Sequence, residues 1–108
     1  MEIKIVAKNG TIPEDVQQLI ENKVSKLPRL FERTTAIYVI ANLQHTDKPE
    51  VEVRISAEER DDFFASDTGT NVLGALESAI GKIESQMRRH KSKTQDHHRG
   101  REVREDLA

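Results

Sequence analysis

The chain has no cysteine, so a disulfide framework, a cysteine nucleophile and a thiolate metal site are all excluded. It also has no tryptophan, and Tyr38, Phe31, Phe63 and Phe64 are the only aromatic residues, which gives little support to a base-stacking platform. No apolar run is long enough for a membrane span, and no leader with a cleavage site is evident, so the expectation is a cytoplasmic protein with no membrane partner. Gly-rich phosphate loops, a nucleophile elbow and H-E-x-x-H spacing are absent. The histidines are His45 in an expected loop, His90 near the end of a helix, and His97-His98 in the tail, with no fixed third ligand to accompany the pair. These absences predict a protein that is not an enzyme, with no cofactor, no metal and no small-molecule substrate.

What remains is charge arranged along periodic apolar blocks. With 35% hydrophobic and 33% charged residues the composition is polar for a globular chain, yet the apolar residues cluster, so most of the 108 residues should fold as one domain. Residues 2–8 alternate as a strand, followed by an Asn9-Gly10 turn. Thr11, Pro13 and Glu14 then supply a capping hydroxyl, a first-turn proline and an acid for a helix start. Val16, Leu19, Ile20, Val24 and Leu27 recur at helical spacing up to Pro28. Residues 35–43 and 51–57 alternate as strands around a 44–49 loop, 58–62 form a charged turn, and 63–67 form a fourth strand. A second helix spans 71–93. The expected fold is α+β, ordered β-α-β-β-β-α, a four-stranded sheet with two helices packed on one face. Periodicity fades past Ser92, so the domain is expected over 1–93 and a charged, disordered tail over 94–108.

The second helix carries two stripes. Val72, Leu73, Leu76, Ala79, Ile80, Ile83 and Met87 share one face, while Lys82, Gln86, Arg89 and Lys93 fall on one flank and Glu77 and Glu84 on the other. On the first helix, Lys23 and Lys26 border the apolar stripe. If these flanks adjoin, they merge into a cationic patch suited to RNA phosphates, with Gln86 able to bond a sugar or base edge. Set against this, charged helix faces are ordinarily just solvated, Lys23 can snorkel over the core, and Arg88 can pair with Glu84. The net charge of −2 hides a separation, with acids predominating over 47–62 and bases over 82–101. That predicts a polarised molecule whose acidic end faces away from an anionic partner.

The pattern Ile-Val-Ala-Lys-Asn in the first strand, Lys23-Val-Ser-Lys26-Leu27, Phe64-Ala-Ser66, and Ala75-Leu-Glu77 through Lys82-Ile83, Gln86-Met87 and Arg89-His90-Lys91 resembles the ribosome hibernation promoting factor family, also called ribosome-associated inhibitor or sigma-54 modulation protein. The resemblance runs over about 1–93. It implies binding to the small ribosomal subunit and its rRNA near the decoding centre, blocking mRNA and tRNA sites under stress, by a protein that is monomeric when free. It carries RNA contact onto Lys23, Lys26, Lys82 and Arg89, with Gln86, Arg88, Lys91 and Lys93 beside them. Asn71-Val72-Leu73 stands where many members have Asp-Met-Tyr, keeping a cap but losing an aromatic hydroxyl. The additional domain with which long members pair ribosomes has no counterpart here, so self-sufficient ribosome pairing is not expected. The competing reading is a protein-binding regulator of transcription, in which Glu58, Glu59, Asp61 and Asp62 capture a partner such as a sigma factor.

Overall fold

The computed structural model describes residues 2–29 and 33–99, with side chains through Arg89. The order is β1 (Glu2–Lys8), α1 (Glu14–Val24), a 3-10 turn (Leu27–Arg29), β2 (Thr34–Asn42), β3 (Glu50–Ala57), β4 (Phe63–Thr68) and α2 (Val72–Arg99). The strands lie side by side in chain order, β1 parallel to β2 and the other neighbours antiparallel. Parallel pairing of β1 and β2 requires a crossover, which α1 supplies.

Alternation in the strands decides which face is covered. Ile37, Val39 and Ala41 of β2, Val51, Val53 and Ile55 of β3, and Phe63 and Ala65 of β4 are buried against Ile20 and Val24 of α1 and Ala75, Leu76, Ala79, Ile83 and Met87 of α2. Each fully buried aliphatic side chain of this size contributes about 1.5–3 kcal/mol, so this one layer supplies the main stabilisation. Among the described residues no helix covers the opposite face of the sheet, and Arg54 and Phe64 are exposed on it.

Both helices start at the same end. Ile12, Pro13 and Val16 share an apolar cleft with Asn71, Val72 and Leu73. Asn71 caps α2, its Oδ1 accepting from Gly74 N at 2.7 Å while its carbonyl accepts from Ala75 N at 3.0 Å. The start of α1 differs from expectation. Pro13 occupies the N-cap with no side-chain cap bond, and Thr11 does not cap. Within the first turn Asp15 Oδ1 accepts from Val16 N at 2.9 Å, the Gln17 backbone N–H makes the first helical bond to Pro13 O, and Gln17 Nε2 donates back to Ile12 O, each of these two at 3.0 Å.

The end of α2 also differs. The helix continues to Arg99, past the boundary at 93 and through the first part of the expected tail. No glycine or proline interrupts 82–99, and once a helix is nucleated each further residue needs only propagation. The remainder of that tail, 100–108, lies outside the described residues.

Candidate nucleic-acid interface

The two flanks of α2 meet different neighbours. On one, Gln86 and Lys82 reach over the outer edge of β4. Gln86 Nε2 donates to Phe64 O at 2.7 Å, and Phe64 N donates to Gln86 Oε1 at 3.3 Å. Lys82 Nζ donates to Ser66 O at 3.1 Å and pairs with Asp67 Oδ2 at 3.5 Å. The pairing of 82 with 66 and 86 with 64 makes α2 antiparallel to β4. The Asp67 carboxyl is held below the usual carboxylate range, first by the Thr68 N–H at 2.8 Å and then by the Lys82 ammonium, with desolvation opposing them.

The other flank faces α1. Lys23, Lys26, Glu77, Ile80, Gly81 and Glu84 line a groove between the helices. Lys23 Nζ lies 2.8 Å from Glu77 Oε2. The lysines of α1 therefore adjoin the acidic flank of α2, while Lys82 and Gln86 stand on the far side over β4. The expected merging of the basic flanks into one acid-free patch does not occur. Helix phase separates the signs on α2 correctly, but only the packing of α1 decides which flank it touches.

Exposed cations occur at both ends of the domain, with Lys8 and Lys48 at the end where the helices start and a further set just past α1 and in the C-terminal half of α2. Lys26, Arg29, Arg88 and Arg89 are exposed. Arg88 forms no ion pair with Glu84, and Arg89 Nε donates to Ser85 O one turn back at 3.4 Å. Lys91 and Lys93 sit on the same helix with side chains outside the described set. Arg29 was not anticipated, although 23, 26 and 29 form a three-residue spacing that continues the basic line of α1 through the 3-10 turn.

The acidic turn is not held away from the C-terminal half of α2. Gln86 lies over Phe64, one residue into β4, so the next turn of α2, which carries Arg89, advances toward 58–62. Acids and bases share this pole and partly neutralise each other: Arg33 pairs with Glu59 at 3.6 Å and Arg54 with Asp62 at 3.8 Å. Asp47 belongs to the opposite end, in the loop between β2 and β3. Charge blocks along the chain thus do not become charge poles, because each hairpin returns the chain to the other end.

The fold and its exposed helix ends define a two-layer α+β domain with one bare sheet face and a helical layer edged by cations. The chain belongs to the Sigma 54 modulation protein / S30EA ribosomal protein family, which it matches over residues 3–95. It is similar to the ribosome hibernation promoting factor of Salmonella typhimurium, 28% identical over 98 residues that cover 90% of this chain and 100% of that protein. The factor of the same name from Escherichia coli is 26% identical over the same coverage. Two solved structures share the fold. A ribosomal subunit interface protein from Coxiella burnetii superposes with a TM-score of 0.76 at 16% identity, covering 85% of this chain and 99% of that one. The Thermus thermophilus Protein Y N-terminal domain gives 0.71 at 20% identity, covering 83% and 99%.

Proposed function

We propose that this chain is a non-enzymatic ribosome hibernation factor of the cytoplasm, binding rRNA of the small subunit near the decoding centre and excluding mRNA and tRNA. The observation that carries this reading is family membership over 3–95, joined to similarity with hibernation promoting factors along their whole length. The ligand chemistry is phosphate neutralisation by the helical layer. Lys26, Arg29, Arg88 and Arg89 offer exposed charges, and Lys91 and Lys93 extend the line.

Lys23 and Lys82 take a second role. Their ion pairs are solvent-exposed, with side-chain exposures of 37% and 62% for Lys23 and Glu77, and 56% and 32% for Lys82 and Asp67. Such pairs are worth only about 0–1 kcal/mol, so a phosphate displaces the carboxylate at small cost. Gln86 fixes β4 beneath α2 through Phe64, and the second N–H of its amide is the donor it offers to RNA.

Gradient sedimentation with purified small and large subunits tests the reading. Co-migration with the small subunit, reduced by mRNA and tRNA, is expected. Migration with the large subunit alone, or binding unaffected by mRNA and tRNA, overturns it.

A further inference from the structure

The two edges of the sheet are treated differently. The outer edge of β4 is occupied by Gln86 and Lys82, which bond Phe64 and Ser66 as a neighbouring strand would. The outer edge of β1 carries no such cover among the described residues. Lys8 O accepts from Leu43 N at 2.8 Å, so the even-numbered peptide groups of β1 face β2, and Ile3, Ile5 and Ala7 turn their N–H and C=O groups outward. The side chains of these three residues lie on the helix-covered face yet are only half-buried, and Val6 on the bare face is 38% exposed.

We propose that a second copy of this chain pairs antiparallel along β1, about a twofold axis at Ile5, joining two sheets into one. In this register Ile5 opposes Ile5 and Ile3 opposes Ala7, and these are the residues whose outward groups exchange both bonds of an antiparallel pair. On the bare face Glu2 opposes Lys8 at each end, and the stem of Lys4 lies across Val6. Lysines on a free edge ordinarily deter pairing. Here Glu2 answers Lys8, and that complementarity selects one register. With the β4 edge capped, the contact closes at two copies rather than growing into a fibre. The inference replaces the monomer expected from the sequence and does not depend on ribosome binding.

Sedimentation velocity of the purified full chain, over about 10 µM to 1 mM, tests it. Wild type is expected to associate reversibly to a dimer. Lys8→Glu, which sets like charges opposite each other at both ends, should weaken the dimer about tenfold, and Glu2→Lys combined with Lys8→Glu should restore it to within about threefold. Both side chains are exposed, and matched thermal melts verify that the variants fold. A single monomeric species throughout the range, an unchanged Lys8→Glu, or a double variant as weak as the single one overturns the proposal. A partner strand from another protein would give the first of these results.

Discussion

Gln86 on α2 holds Phe64 on β4 by both of its backbone polar groups, the side-chain amide donating to the carbonyl at 2.7 Å and accepting from the N–H at 3.3 Å. An edge strand is thereby tied to the helix above it and closed to another chain. Gln86→Leu keeps helix propensity and volume while removing both bonds. We expect a loss of about 1 kcal/mol, read as a lower urea midpoint at unchanged slope, with increased aggregation as β4 opens.

Asp67 links stability to pH. Its carboxyl titrates below the ordinary value of 3.8 because the Thr68 N–H and Lys82 favour the charged form. A depressed folded pKa contributes stability that is present above the unfolded value and disappears as pH falls through the folded one. The urea midpoint of wild type relative to Asp67→Asn should be constant above about pH 5 and converge below about pH 4. A difference that grows as the pH falls would contradict this assignment.

The glycines of the α2 region separate by what surrounds them. A Cβ at Gly81 meets nothing within 4 Å, so Gly81→Ala should stabilise the protein by about 1 kcal/mol through helix propensity. A Cβ at Gly69 would lie 2.7 Å from the backbone N of Ala75, so Gly69→Ala should destabilise. Thermal denaturation of the two variants should shift in opposite directions.

Much of this architecture is legible in the residues themselves. The alternation of Val51, Val53 and Ile55 marks β3 as a strand covered on one side, and the spacing of Leu76, Ala79, Ile83 and Met87 gives the buried face of α2. The flanks of α2 follow from helical phase. What those flanks meet does not, because Lys82 and Gln86 find Ser66 and Phe64 16 and 22 positions away, through a strand register the sequence leaves open. The same limit applies to Lys23, whose Glu77 partner depends on how α1 lies beside α2. The missing Thr11 cap has a local cause, since the helix starts two residues later with Pro13 at the N-cap, and Asp15 Oδ1 accepts from Val16 N in the first turn.

If Lys23 exchanges Glu77 for phosphate on the ribosome, the carboxylate is a competitor. Glu77→Gln should then raise small-subunit affinity about two- to fivefold, in line with the strength of an exposed ion pair. Equilibrium binding at low salt reads the change, and unchanged or weaker binding would assign Lys23 a structural role only.

The central claim is that the exposed cations Lys26 and Arg29 just past α1, with Arg88 and Arg89 on α2, hold this protein on small-subunit rRNA. The most direct measurement is the salt dependence of small-subunit binding for wild type and for Arg88→Glu combined with Arg89→Glu. With about five phosphates neutralised, wild-type affinity should fall roughly a few hundredfold between 50 and 200 mM salt, and the double variant should bind more weakly with a shallower slope. Binding that is indifferent to salt, or a double variant that matches wild type, would contradict the account.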